Sequence, residues 1–496
     1  MAYLKDLLKQ VTYICTRGTM DCKVTHICHD SRQVVRGSMF ICLAGSREDG
    51  HDYLAQAIRK GAAVCVVSKH VWVEGDVTVI RVRNTSEAMA WIARNYYGAP
   101  AEAMQMIGIT GTKGKTTTAC MLYQMLKEAG VKCGLIGTLG IRRSDGLKKP
   151  GSNTTPDALV LQKELREMAD AGCSCCVMEV SSQGLKHYRV EGITFAIGIY
   201  TNLSMDHIGP GEHRSFREYA CCKKRLFERS RMICINADDK YHGFMTVNLE
   251  APVYTYGIEQ PCDVKAEHII YERSSRGLNV TYQTTGWIKD EIVLKMPGTA
   301  NVYNSLAAME AAHLLGISPE TIRKTLRNVS VKGRIEEVRI SDKFDVVIDY
   351  AHNAASLESL IKTLRQYQPK RLVLLFGCGG NRAKARRYEM GEVSARLADF
   401  TVVTSDNPRF EQPIAIINDI LVGVKKIGGK YVAIPDRKEA IAYCMANAKE
   451  GDVIVLAGKG HEDYQEIKGK KYPMDERELI AEITREMFDS RQQDTI

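Results

Sequence analysis

Residues 108–118 read Gly-Ile-Thr-Gly-Thr-Lys-Gly-Lys-Thr-Thr-Thr. An apolar stretch, Met104-Gln105-Met106-Ile107, precedes them, and a helical pattern of Leu122, Met125, Leu126 and Ala129 follows. Strand, glycine-rich turn and helix in that order let the backbone curl around a polyphosphate. The glycines permit close approach, and the helix N-terminus adds a partial positive charge. In such a loop Lys115 reaches the β- and γ-phosphates, and the Thr116 hydroxyl holds Mg²⁺. The spacing departs from the common phosphate-loop pattern, which would put a glycine at Ile109; here the glycines are Gly108 and Gly111. The feature commits this part of the chain to an α/β arrangement.

At 496 residues the chain has room for about three domains of roughly 150 residues each. A hydrophobic content of 45% and a charged content of 26% are ordinary for a soluble globular protein. No apolar run approaches the roughly 20 residues that a membrane helix needs, and the start, Met1 to Lys9, reads as a short amphipathic helix and not a signal peptide. These features predict a cytoplasmic protein with no membrane insertion. The net charge is +9, but the basic residues form no long blocks and aromatics make up 7%, so a polyanionic small molecule fits better than nucleic acid. Of the sixteen cysteines, Cys173 and Cys176 form a Cys-x-x-Cys with no second pair to complete a zinc site, so free buried thiols are expected.

Three regions are expected. Residues 1–99 mix short strands, around 39–43 and 63–67, with helices, and end at Gly98-Ala99-Pro100. Residues 100–331 carry the glycine-rich loop and the apolar strands 177–180, 195–200 and 232–235, which imply a mostly parallel sheet. From about 253 to 294 the pattern changes to alternating strands, an antiparallel patch, and a helix follows over 304–315. Residues 332–496 form a Rossmann-like α/β domain in which four apolar strands each run into a polar loop. The loops are Asp349-Tyr350-Ala351-His352, Gly377-Cys378-Gly379-Gly380-Asn381-Arg382, Asp406-Asn407-Pro408-Arg409 and Gly458-Lys459-Gly460-His461-Glu462. In an open α/β sheet ligands bind at such carboxyl ends.

Glu179 ends a strand, where a carboxylate can share a Mg²⁺ with the γ-phosphate or cap the next turn. His207, in Asp206-His207, could ligate a second metal or be an ordinary hydrogen-bonded polar residue. Lys223 lies on a basic helix face that composition gives no reason to single out. Arg382, Asn407 and Arg409 could grip a carboxylate by charge-assisted hydrogen bonds, and Glu462 an ammonium group. Together they look like an amino-acid site; surface salt bridges are the plainer reading.

Taken in order, Thr110-Gly111-Thr112-Lys113-Gly114-Lys115-Thr116-Thr117, Glu179-Val180-Ser181-Ser182, Thr201-Asn202-Leu203-Ser204, Asp206-His207, Asp349-Tyr350-Ala351-His352, Gly377-Cys378-Gly379-Gly380 and Gly458-Lys459-Gly460-His461-Glu462 resemble the Mur ligase family over nearly the whole chain. The resemblance implies three domains, for a UDP-sugar, ATP and an incoming amino acid. The chain resembles members that add the third residue of the peptidoglycan stem peptide to UDP-N-acetylmuramoyl-L-alanyl-D-glutamate.

The resemblance also implies roles. Gly111, Thr112, Lys113, Gly114, Lys115, Thr116 and Thr117, with Asn304, Arg334, Asp349 and His352, would contact ATP. Thr116, Glu179, His207 and Lys223, the last carbamoylated by CO₂, would hold Mg²⁺. Lys115, Lys223 and His207 would be catalytic. Ser31, in Asp30-Ser31-Arg32, together with Thr154, Thr155, Ser181 and Arg189, would bind the UDP-sugar. Arg382, Asp406, Asn407, Arg409, Gly458 and Glu462 would bind the amino acid. The Asp-Asn-Pro-Arg form at 406–409 resembles that associated with meso-diaminopimelate; L-lysine, or the reaction of a sister enzyme such as folylpolyglutamate synthetase, is the alternative. A monomer is expected. Departures from the family wording are Gln183 for His, Asn381 for Asp, the stretch 208–213, and Gly298-Thr299-Ala300-Asn301, which lacks a Phe before Asn.

Overall fold

The computed structural model describes residues 2–45, 48–151, 153–209, 211–274 and 277–493, with side chains to 487. Met1 and Pro210, which belong to stretches discussed above, lie outside the described residues. The backbone partitions into two compact units. One comprises 1–265 with 306–322; the other comprises 266–305 with 323–496.

The first unit begins with a strand, Ala2–Tyr3, and one helical turn, Leu4–Leu7, so the expected helix is shorter than its apolar spacing suggested. Tyr3 and Ala2 are taken up by an antiparallel pairing with Lys23 and Val24. A five-stranded sheet follows, in the order Tyr13–Arg17, Thr78–Val82, Ala62–Val67, Ser38–Ile41, His26–Cys28. It is parallel except at its first pair. The helix Thr85–Tyr96 packs Ala88, Met89, Ile92 and Ala93 onto it and starts at Asn84, whose side chain accepts from the amides of Ser86 and Glu87.

The larger sheet of this unit places the glycine-rich loop. Its order is Lys148–Lys149, Gly140–Arg142, Cys133–Gly137, Cys175–Glu179, Gln105–Thr110, Phe195–Tyr200, Ser230–Asn236, Val253–Gly257, then Val264 and Lys265. From Cys133–Gly137 onward the pairs are parallel. Val253–Gly257 therefore continues the parallel sheet, where the sequence pattern suggested that the antiparallel patch had begun. In register, Ile109 pairs with Glu179 and Thr110 with Tyr200, so all three strands end at one edge. The strands are almost wholly buried on both faces, as a parallel sheet covered by helices requires.

In the second unit Gly277–Gly286 pairs antiparallel with Glu291–Leu294, which is the expected patch. The following helix, Thr299–Leu314, has residues in both units and starts five residues earlier than the apolar pattern indicated. A six-stranded sheet runs Glu336–Val338, Asp345–Asp349, Asp452–Ala457, Arg371–Phe376, Phe400–Val403, Tyr431–Ala433, parallel except at the first pair. All sixteen cysteines are free thiols, and among the described residues no helix is long and apolar enough to cross a membrane.

Two helices on this sheet, Lys384–Leu397 and Pro413–Ile427, approach closely because glycines face each other. A Cβ on Gly391 would lie 2.2 Å from the Ile420 carbonyl oxygen, and one on Gly423 would lie 2.1 Å from that of Tyr388. The buried Arg387 guanidinium ties the same pair, bonding Glu411 at 2.7 and 2.8 Å and Asp419 at 2.9 Å. Gly391→Ala must push one backbone away from the other. It is expected to lower stability by about 1–3 kcal/mol, read from the urea midpoint.

Candidate active site

The glycine-rich loop leaves the strand Gln105–Thr110, and Lys115 opens the helix Lys115–Glu128. Gly114 has φ +88°, and a Cβ on Gly111 would sit 1.9 Å from the Thr201 hydroxyl, so neither position tolerates a side chain. The next strand end stitches the loop down. The Thr201 hydroxyl donates to the Lys113 carbonyl (2.6 Å), the Lys113 amide to Asn202 Oδ1 (3.0 Å), and the Ser204 amide to Thr112 Oγ1 (3.0 Å). Lys115 Nζ donates to the carbonyls of Gly111 (2.8 Å) and Thr112 (3.0 Å).

The Glu179 carboxylate is buried and collects donors from two segments. The Thr116 hydroxyl donates to Oε2 at 2.9 Å, the Thr138 amide to Oε1 at 2.8 Å, and the Thr138 hydroxyl lies 3.2 Å from Oε2. A hydroxyl and a carboxylate are hard oxygen donors of the kind Mg²⁺ takes alongside phosphate and water. The donor chemistry of Thr116 and Glu179 therefore fits that ion. Thr117 is buried one position further along the helix.

Lys223 is 1% exposed, and its ammonium donates to the Gly111 carbonyl at 2.7 Å, the same oxygen that Lys115 reaches. Burial, then the neighbouring Lys115 charge, pushes the Lys223 amine well below the usual lysine range. Tyr219 lies one helical turn earlier on Phe216–Lys224. Its hydroxyl is 2.9 Å from Thr112 Oγ1, and its ring centroid is 4.6 Å from Lys223 Nζ. Asp206 and His207 lie on the outside of this group. His207 is half-exposed, has φ +54°, packs its ring 6.3 Å from that of Tyr219, and sets Nδ1 3.1 Å from Glu212. Among the described residues no cluster of three His, Cys, Asp or Glu side chains has metal-ligand geometry.

Four of the expected sugar-contacting residues, Thr154, Thr155, Ser181 and Arg189, gather beside Glu179. Thr155 Oγ1 is 2.9 Å from the Glu179 carbonyl and accepts from the Ser181 amide at 2.9 Å. Arg189 donates to the Thr155 carbonyl at 2.7 Å, and Thr154 Oγ1 is 3.1 Å from Thr138 Oγ1. Ser31 is buried in a 3₁₀ turn and donates to Gln56 Oε1 at 2.9 Å.

The second unit carries the other expected residues. Asn304 is buried and donates to Asn301 Oδ1 at 3.0 Å. Asp349 spends its carboxylate on the amides of Ile335 (2.9 Å) and Ala351 (2.8 Å). The Arg334 guanidinium lies 4.9 Å from the Tyr350 ring centroid, and the rings of His352 and His461 lie 4.8 and 4.7 Å from it. At the strand-end loops, Asp406 accepts from the Asn407 amide at 2.6 Å, and a Cβ on Gly458 would meet Asp406 Oδ2 at 2.8 Å. Arg382 is exposed.

Glu462 is already paired with a cation. The fully buried Lys459 donates to its Oε2 at 2.7 Å and to Asn407 Oδ1 at 2.9 Å, and Asn407 Nδ2 donates to the same Glu462 oxygen at 2.9 Å. The departure at 381 also has a local reason. The Asn381 side chain accepts from the Phe410 amide at 3.2 Å, which joins two of the loops.

Three family models match the chain: "Mur ligase family, catalytic domain" over residues 23–97, "Mur ligase middle domain" over 109–312, and "Mur ligase, glutamate ligase domain" over 333–460. A UDP-N-acetylmuramoyl-L-alanyl-D-glutamate–2,6-diaminopimelate ligase of Caldanaerobacter subterraneus subsp. tengcongensis is 42% identical over 484 residues, spanning 97% of this chain and 99% of that one. This chain belongs to the Mur ligase family. A ligase of the same description from Clostridium perfringens is 40% identical over 492 residues, at 97% and 99% coverage. A solved structure of a ligase so described is 29% identical, with TM-score 0.69, over 94% of this chain and 95% of that one. The MurF ligase of Thermotoga maritima in complex with ADP shares the fold, at 18% identity and TM-score 0.59 over 95% and 99%.

Sequence spacing alone does not single out Tyr219, Thr138, Lys459 or His461 in this Mur ligase. Tyr219 could have been found from its four-residue offset to Lys223, which puts both on one helix face. Lys459 and His461 lie within the 458–462 motif, whose wording by itself assigns them no contact. Thr138 left no signal, since only sheet register brings it to Glu179.

Burial and the charges of Arg334, Lys332 and Arg477 lower the His461 imidazole from 6.5 to about 4. The unfolded chain takes up that proton below 6.5 while the folded one does not, so unfolding binds a proton between 6.5 and about 4. Stability is therefore expected to fall as pH drops through that window and to be unaffected by this group above it. Urea midpoints measured against pH should fall less steeply there in His461→Asn.

Proposed function

We propose that this chain joins meso-2,6-diaminopimelate to UDP-N-acetylmuramoyl-L-alanyl-D-glutamate at the expense of ATP, in peptidoglycan precursor synthesis. One observation carries the choice of amino acid. Arg409 sits on a strand-end loop and, among the described residues, spends two of its five N–H donors, which leaves three for a second carboxylate that L-lysine lacks. Relatives at about 40% identity over their full length carry that description, and the 406–409 loop has the form expected of it.

The reaction has two steps. The D-glutamate carboxylate attacks the γ-phosphorus of ATP, the bond to ADP breaks, and an acyl phosphate forms. The amine of diaminopimelate then attacks the acyl carbon, the carbon–oxygen bond to phosphate breaks, and the amine proton leaves. Lys115, Gly111, Thr112, Lys113, Gly114 and Thr117 bind the phosphates and stabilise the charge that moves during transfer. Thr116, Glu179, His207 and carbamoylated Lys223 would hold Mg²⁺, which when bound neutralises phosphate charge. The neutral amine favoured at Lys223 is the nucleophile that forms a carbamate: its nitrogen bonds the carbon of CO₂ and sheds one proton to solvent, so a neutral amine becomes an anion. Asn304, Arg334, Asp349 and His352 belong to the nucleotide, and Ser31, Thr154, Thr155, Ser181 and Arg189 to the UDP-sugar. Arg382, Asp406, Asn407, Arg409, Gly458 and Glu462 orient the amino acid. The assignment divides the chain into 1–99, 100–331 and 332–496, a cytoplasmic monomer whose lobes bind one substrate each.

Purified protein offered ATP, the UDP-sugar dipeptide and either amino acid should give the diaminopimelate product by mass. Comparable use of L-lysine would sink the assignment. Lys115→Ala should cut turnover by roughly a thousandfold. Removing CO₂ from the buffer should lower activity, and bicarbonate should restore it in the wild type but not in Lys223→Ala.

A further inference from the structure

Arg409 has φ +52°, a backbone conformation that a non-glycine residue keeps only when its surroundings hold it. The holding segment is the strand Tyr464–Ile467, one arm of a hairpin with Lys470–Pro473. The Arg409 amide donates to the Glu466 carbonyl at 3.0 Å, and the Lys468 amide donates to the Arg409 carbonyl at 2.7 Å. The side chains repeat the contact. Arg409 Nε donates to Glu466 Oε2 at 3.0 Å, and Nη1 donates to the Gly380 carbonyl at 2.8 Å. A guanidinium has five N–H groups, so among the described residues three remain on Nη1 and Nη2, which is what a two-pronged grip on a carboxylate needs. The Glu466 amide also donates to Asn407 Oδ1 at 2.9 Å, the atom that the buried Lys459 holds. Glu466 is thus the residue that touches both Arg409 and Asn407 from the hairpin side.

We propose that Glu466 is a positioning residue that sets amino-acid specificity: by holding Nε of Arg409 it fixes the guanidinium with its outer donors free for the distal carboxylate of the incoming amino acid. This rests on the function proposed above. A purely structural role is the competing account, and energetics separates the two. The Arg409 and Glu466 side chains are 24% and 26% exposed, a part-buried pair whose loss costs more than that of a surface pair, while the backbone bonds that join Arg409 to Glu466 and Lys468 do not depend on the Glu466 side chain. Its loss should leave the fold intact and free a long side chain that must then be ordered by substrate, a cost that appears in substrate affinity.

The test compares the full-length wild type with Glu466→Ala and Glu466→Gln. In Glu466→Ala the KM for meso-diaminopimelate should rise about tenfold, with kcat and the KM for ATP and the UDP-sugar dipeptide within about twofold. The preference for diaminopimelate over L-lysine in kcat/KM should fall by a similar factor. Glu466→Gln keeps an acceptor for Nε and should recover most of the loss. Glu466→Ser gives the same reading should the alanine variant fail to fold. An unchanged or lower KM for diaminopimelate, or an equal rise for all three substrates, overturns the proposal. If the wild type makes no diaminopimelate product, the proposed function fails and this inference with it. If it does and Glu466→Ala matches it, only this inference fails.

Discussion

The Glu179 carboxylate is the constraint on which the first unit's site depends. It stands at the end of a buried strand, away from bulk water, where an unpaired carboxylate would be costly. It is satisfied by Thr116 on the loop helix and by both donors of Thr138. A single anion thereby fixes the start of that helix relative to the neighbouring strand. The same placement leaves two hard oxygen donors, Thr116 and Glu179, side by side at the carboxyl edge of a parallel sheet.

Opposite this anion the loop gathers cations. Lys115 and Lys223 converge on one carbonyl oxygen, that of Gly111. Burial first, and the neighbouring charge of Lys115 second, favour a neutral form of Lys223. Tyr219 sits between the lysine, the loop and the ring of His207. The carbamate proposed at Lys223 rests on the family resemblance, and the buried position of its amine supports it.

The second unit solves a different problem, that of holding polar loops still. Lys459, buried without exposure, pulls together Asn407, Glu462 and the Tyr464 carbonyl. The hairpin that follows then clamps Arg409. The sequence reading gave Glu462 the task of holding a substrate ammonium; in the structure its carboxylate already holds the ammonium of Lys459. Asn407, Glu462 and, through Glu466, Arg409 form one hydrogen-bonded network, in which each member limits how its neighbours can turn; Arg382 stays exposed outside it.

What could be read from the chain alone was whatever depends on neighbours in sequence. The glycine-rich loop, the helix after it, the long apolar strands and the polar turns that end them are all local patterns. The motif strings in their order identified the family. Sequence spacing could not say that Val253–Gly257 continues the parallel sheet, that Leu4–Leu7 makes only one turn, or that Thr138 and Glu466 complete the two clusters. Strand register and buried pairing decide those points, and both join residues far apart in the chain. The sequence determined which groups are present and which local shapes they favour. Only the fold decided which of them share an atom, because burial and charge act through space.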